Sequence, residues 1–154
     1  KFFKNSNVDP SAAVDLYDSS VFTCSVCEFT DNSAKSAGAI RVDSKSRINI
    51  KDSLISSNFA SESGSALYLI NSKQDNVLDN CKVLKNSTKG SSAIVLIESK
   101  LTFKKSTFSE NLGPTLCPGI VAQSSELILE SSSFSLQTSS QAVFFHLQAS
   151  SIGT

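Results

Sequence analysis

The sequence has no net charge, no long apolar run, no tryptophan and a single histidine. Lys+Arg and Asp+Glu both number 14, so no excess of either sign draws the chain onto nucleic acid or an anionic membrane. The ten Phe and two Tyr fall mostly at positions phased with a core, which leaves no free platform for stacking bases. No apolar stretch approaches the roughly 20 residues of a membrane span. The start, Lys1 to Lys4, has two Phe but lacks the apolar stretch of a signal peptide. His146 has no obvious partner and reads as an edge or surface residue. There is no Ser-His-Asp arrangement, phosphate-binding glycine loop or calcium nonapeptide repeat, so no metal or other cofactor is expected. The chain opens on Lys1 rather than Met and closes on Ile152-Gly153-Thr154 part-way through a repeat. That suggests a processed product or a segment of a longer protein.

What the sequence does have is self-similarity. A small residue starting an apolar strand recurs at Ala13, Ala39, Ala66, Ala93, Gly119 and Ala142, at spacings of 26, 27, 27, 26 and 23. A second column runs through Asn32, Asn58, Asn86, Asn111 and Gln137 at spacings of 26, 28, 25 and 26. Periods of this size mark solenoids, in which each unit buries its apolar face only against its neighbours. Within a unit, three short alternating segments predict three strands, each half-buried. The expectation is all-β: a right-handed, three-sided parallel β-helix of about five to six coils. Residues 1–12 are expected to be an N-terminal cap or linker, and 13–154 the repeats. Leucine-rich repeats have a similar period, but their Leu-x-x-Leu-x-Leu-x-x-Asn core does not recur here.

The inward columns follow from this register. After the small residue come Val14/Leu16, Ile40/Val42, Leu67/Leu69, Ile94/Leu96, Ile120/Ala122 and Val143/Phe145. On the second side stand Phe22, Ile48, Asn76, Leu101 and Leu127, then Cys24, Ile50, Leu78, Phe103 and Leu129; on the third, Phe29, Ile55, Val83, Phe108 and Phe134. Asn76 alone is polar, and Val77 beside it suggests a local bulge. Cys27, Ser53, Cys81, Ser106 and Ser132 suit a tight corner. The Asn column, with Gln137, reads as a structural ladder of stacked amides. Asn86-Ser87-Thr88 is the lone glycosylation sequon; an inward Asn86 would stay unmodified even on a secreted chain.

Phe29-Thr30-Asp31-Asn32 followed by Gly38-Ala39-Ile40, and later Phe108-Ser109-Glu110-Asn111, resemble the paired Phe-x-x-Asn and Gly-Gly-Ala-Ile repeats of the chlamydial polymorphic membrane proteins. Those are surface autotransporters with pectin-lyase-like β-helical passengers. Similar repeats occur in large surface proteins of other organisms. The motifs are partly degenerate here: Ile55 and Val83 replace Phe, while Gly64-Ser65-Ala66-Leu67 and Ser91-Ser92-Ala93-Ile94 replace Gly-Gly-Ala-Ile. The resemblance implies the fold, an adhesive or structural role, and a cell-surface or extracellular location. An intracellular scaffold subunit of a large assembly is the alternative if the cysteines are reduced.

Pectin-lyase-like folds also include polysaccharide lyases and glycoside hydrolases, which work with carboxylates and Arg or Lys on one sheet. The first strand's outward columns place Asp15, Tyr17, Arg41 and Asp43 together, a candidate carbohydrate-contacting patch. The plain alternative is a solvated face with ion pairs. No second catalytic cluster is present, so catalysis is not expected. The later coils present Tyr68, Ile70, Val95, Ile97, Val121 and Phe144 outward on one sheet, while Gln123 and His146 continue the second column. Soluble surfaces rarely leave such a stripe uncovered, and it is read as an interface for a protein partner or the rest of a longer chain. Cys24-Ser25-Val26-Cys27 reads first as a pair of buried thiols, next as a Cys24–Cys27 disulfide, and last as a metal or redox site, since only Cys81 and Cys117 remain.

Overall fold

The computed structural model describes residues 1–8, 13–113, 119–135, 145–148 and 151–153, with 145–147 as backbone. Each strand pairs parallel with its equivalent one coil away, building three six-stranded sheets and one short sheet. The first sheet comprises Val14–Leu16, Ile40–Asp43, Leu67–Ile70, Ile94–Ile97, Ile120–Gln123 and Phe145–Gln148. The second comprises Val21–Ser25, Arg47–Lys51, Asn76–Asp79, Lys100–Lys104, Glu126–Glu130 and Ser151–Gly153. The third comprises Phe2–Phe3, Glu28–Thr30, Leu54–Ser56, Lys82–Leu84, Thr107–Ser109 and Ser133–Ser135. The chain is thus an all-β parallel solenoid with no helix among the described residues.

The short fourth sheet joins Ser33–Ser36, Phe59–Ser63 and Ser87–Thr88, with a register shift between Ala34 and Ser36. The three-strand reading of each coil missed it. These segments are mostly polar and bury only small side chains (Ala34, Ala60, Thr88), so their alternation is faint.

Inside the coil, each inward column packs as a continuous stack. Ile40, Leu67, Ile94 and Ile120 line one wall, and Ile55, Val83 and Phe108 another, all fully buried. Phe2 stacks on Phe29 with ring centroids 4.6 Å apart, so residues 1–8 add part of a further turn below the first full coil. At the other end, Phe134 meets Phe103 edge-on at 5.7 Å and Phe108 at 5.9 Å. Phe and branched aliphatic side chains fill this interior because only their stacking closes it: a single coil has no second layer.

Three corners share one construction. A residue with positive φ is followed by a small polar residue pointing inward. At the first corner Lys45, Asn71 and Glu98 (φ 65°, 55° and 46°) precede Ser46, Ser72 and Ser99. Ser72 N–H donates to Ser99 Oγ at 3.1 Å and Ser99 N–H to Ser125 Oγ at 3.0 Å. At the second corner Cys27 N–H donates to Ser53 Oγ, and Cys81 N–H to Ser106 Oγ, both at 2.9 Å. The third corner carries the Asn ladder. Side-chain amides of Asn5, Asn32, Asn58 and Asn86 each donate to the next Oδ1, at 2.8, 2.8, 2.8 and 2.9 Å. Left-handed backbone costs a non-glycine residue about 1 kcal/mol, and among the described residues Gly64 is the only glycine that adopts it. The ladder offsets that cost, since each Oδ1 from Asn32 to Asn111 also accepts a corner backbone N–H that strand pairing leaves over.

Two expectations are corrected. Asn76 is not beside a bulge: Asn76, Val77 and Leu78 pair in unbroken register with Leu101, Thr102 and Phe103. It is a buried amide whose Oδ1 accepts Ile48 N–H at 3.0 Å and whose Nδ2 donates to Ser72 Oγ at 2.8 Å and the Lys100 carbonyl at 2.9 Å. It closes the 71–75 turn from inside. The last coil runs two residues later than expected: Phe145 pairs with Ile120 and His146 with Val121. A two-residue slip leaves every side chain facing the same way, so alternation cannot detect it, and the small Ala142 drew the count to the wrong place. Ala142, Gln137 and Cys117 lie outside the described residues.

Candidate functional site

The outward positions of the first sheet form two columns fixed by pairing. Arg41, Tyr68, Val95 and Val121 are successive partners, and so are Asp43, Ile70, Ile97 and Gln123. Pairing places His146, not Phe144, next to Val121; Phe144 itself lies outside the described residues. Gln148, not His146, follows Gln123. The apolar stripe is therefore Tyr68, Val95 and Val121 beside Ile70 and Ile97. Tyr68, Ile70, Ile97 and Val121 are half-buried, and Val95, hemmed in by its strand neighbours, is only 5% exposed. Gly64 helps to place the aromatic member. Its φ is +68°, and a Cβ there would lie 3.0 Å from Tyr68 Cδ2, so the bare glycine lets the ring lean over the corner.

The same sheet turns polar at its N-terminal coils. Arg41 Nη2 contacts Asp43 Oδ2 at 2.7 Å, and Nη1 lies 3.4 Å from Asp15 Oδ1. Ser44 Oγ donates to Asp43 Oδ1 at 3.1 Å. The structure thus brings Asp15, Arg41 and Asp43 together as a closed charge triad, with Tyr17 at 66% exposure at the strand end. One face accordingly has a charged end and an apolar end, meeting where Arg41 pairs with Tyr68 and Asp43 with Ile70.

Around the corner, a cleft of about 600 Å³ is bordered by Asp18, Lys45, Asn71, Lys73 and Glu98. Its charges are mixed, and Lys73 pairs with Glu98 at 3.6 Å. Lys100 lies on the second sheet, 3.0 Å from Asp75 and 3.5 Å from Glu126. Its hydrogen bond to Asp75 leads the effects that raise its pKa above the usual lysine value. No cluster of three or more His, Cys, Asp or Glu side chains suited to a metal occurs among the described residues. Among those residues, no helix is long and apolar enough to cross a membrane.

The asparagine ladder is structural by geometry. Asn32, Asn58, Asn86 and Asn111 are fully buried. Asn86 Nδ2 is held by Asn111 Oδ1 at 2.9 Å and the Ile55 carbonyl at 3.0 Å, so the sequon amide is enclosed in the folded chain. The reading of Cys24 and Cys27 as buried thiols is corrected, because the two are joined in a disulfide with Cα atoms 6.2 Å apart. Cys81 is free, and burial pushes its thiol up to about 11.

Among known families, the one for right-handed β-helix regions matches residues 2–151. The chain belongs to that family. No curated protein and no solved structure matches it.

Proposed function

We propose, from its membership of the right-handed β-helix family, that this chain is a structural and adhesive element that engages a protein partner through one sheet face, without catalysis. The observation that supports this reading is the outward run of Tyr68, Val95, Val121, Ile70 and Ile97. No charged residue stands among these five, whereas the second sheet's outer edge carries alternating Lys and Glu in ion pairs (Lys100–Glu126, Lys104–Glu130). An apolar, flat, rigid face of this kind is suited to burial against another protein. The setting we favour is a cell surface or the extracellular space, as the resemblance of the repeats implies; an intracellular assembly is the alternative.

The test is site-specific photocrosslinking in material from the native source. A photoreactive residue at Ile97 should trap one dominant protein, and one at Lys82 on the third sheet should trap none. Equal, diffuse trapping at both positions would overturn the reading.

A second reading, carbohydrate contact at Asp15, Tyr17, Arg41 and Asp43, is favoured by the exposed Tyr17 ring beside a fixed guanidinium–carboxylate triad. A glycan that binds wild type and loses affinity at least tenfold with Tyr17→Ala would support it.

A further inference from the structure

The second corner is built five times, four of them without a covalent bond. At Ser53, Cys81, Ser106 and Ser132 a single polar side chain closes it, donating to the carbonyl two residues back: Ser53 to Lys51 at 2.6 Å, Cys81 to Asp79 at 3.3 Å, Ser106 to Lys104 at 2.7 Å. Only in the first full coil do Cys24 and Cys27 bridge the turn. Their equivalents one coil on, Ile50 and Ser53, hold the same backbone unbridged. The bond is therefore dispensable for the corner. Cys27 Sγ already lies 3.7 Å from the Ser25 carbonyl, where a freed S–H would donate as Ser53 does. Cys27 N–H remains bonded to Ser53 Oγ in either state.

Access to the two sulfurs is unequal. Cys24 is 8% exposed and packs in the apolar core, whereas Cys27 is partly buried at the edge of that core, beside Val26, which is 79% exposed. A cleft of about 510 Å³ bordered by Val26, Cys27, Asp52, Asn80 and Lys82 opens over it.

The geometry points to Cys24–Cys27 as a thiol–disulfide exchange site, opened at Cys27 by a dithiol reductant while the coil stays folded. A thiolate of the dithiol attacks Cys27 Sγ. The S–S bond breaks, and its electron pair leaves on Cys24 Sγ, which takes up a proton. The reductant's second thiolate then attacks its own sulfur in the mixed disulfide. That step releases Cys27, which is protonated to the thiol, and the reductant departs as an intramolecular disulfide. Two electrons reach the pair, and the dithiol is oxidised. A monothiol is disfavoured: Cys24, three residues away, recaptures Cys27 before a second monothiol arrives.

The test treats the folded chain with dithiothreitol or with glutathione at equal thiol concentration, then iodoacetamide, followed by peptide mapping. Buried Cys81 serves as an internal reporter of unfolding. Dithiothreitol should make Cys27 alkylatable while the buried Cys24 and Cys81 stay unlabelled and the far-ultraviolet spectrum is unchanged; glutathione should label Cys27 at least tenfold less. Labelling of Cys27 only in step with Cys81 would overturn the proposal. So would equal labelling by both reductants, or free thiols at both positions in air-oxidised protein.

Discussion

Replacing Asn58 by Ala is the most informative perturbation of the interior. Asn58 Oδ1 accepts from Asn32 N–H at 3.0 Å and from Asn32 Nδ2 at 2.8 Å. Its Nδ2 donates to the Phe29 carbonyl at 2.9 Å and to Asn86 Oδ1 at 2.8 Å. Asn86 Oδ1 keeps a donor after the substitution, the backbone N–H of residue 58 at 3.1 Å. Of the two donors from Asn32, the backbone N–H keeps nothing, while Nδ2 keeps the Phe2 carbonyl at 3.1 Å. A buried, unsatisfied group costs about 1–3 kcal/mol, so the stranded N–H alone should cost that much. That is a large share of the roughly 5–15 kcal/mol by which domains are stable. Urea unfolding followed by circular dichroism should show the midpoint fall sharply. Asn58→Asp should be at least as damaging, since its second oxygen would face the Phe29 carbonyl and Asn86 Oδ1. Asn49→Ala is the control: Asn49 is exposed and faces outward on the second sheet, so it should stay within about 0.5 kcal/mol of wild type. A loss below about 1 kcal/mol for Asn58→Ala would refute the ladder as a stabilising device.

Gly38→Ala should destabilise markedly by urea unfolding, because a Cβ would lie 2.6 Å from both the Phe59 and Ser65 carbonyl oxygens, backbone atoms that cannot swing aside. Cys81 gives a pH dependence with a definite sign. Its folded pKa, about 11, exceeds the ordinary 9.0, so the unfolded chain loses the proton first and stability falls as pH rises from about 9 to about 11. Cys81→Ser should remove that part of the alkaline slope in thermal melts; an unchanged slope would refute the assignment. Ile97→Lys should abolish crosslinking from Val121 while leaving the melting temperature nearly unchanged, since Ile97 faces outward and is only half-buried.

The coil repeat, inward columns and Asn ladder were legible because a solenoid writes one environment many times over, so a single misfit like Asn76 stands out. Asn5 was also legible in principle: it precedes Asn32 by 27 residues, within the period, but lies in a segment with no strand alternation to draw attention. The Ser46–Ser72–Ser99–Ser125 column was hidden for the opposite reason, since serine is too common here for a column of it to stand out. The stripe emerged from strand parity alone, and parity is blind to the two-residue slip that replaced Phe144 by His146. Arg41 was placed beside Asp15 and Asp43 by register, but only coordinates reveal that its guanidinium is already paired with both carboxylates. The Cys24–Cys27 pair reads first as two thiols in the sequence because inward parity brings the side chains near without deciding whether they join.

The chain has two tyrosines, one on the stripe and one off it, and this permits the most direct measurement. Hydroxyl-radical footprinting would compare native-source material with the isolated chain. If the apolar face is engaged by a protein, Tyr68 should oxidise several-fold more slowly in the native material while Tyr17, on the charged end of the same sheet, oxidises at the same rate in both. Equal Tyr68 rates in the two samples would contradict the account, and protection of Tyr17 alone would move the interface to the charged end.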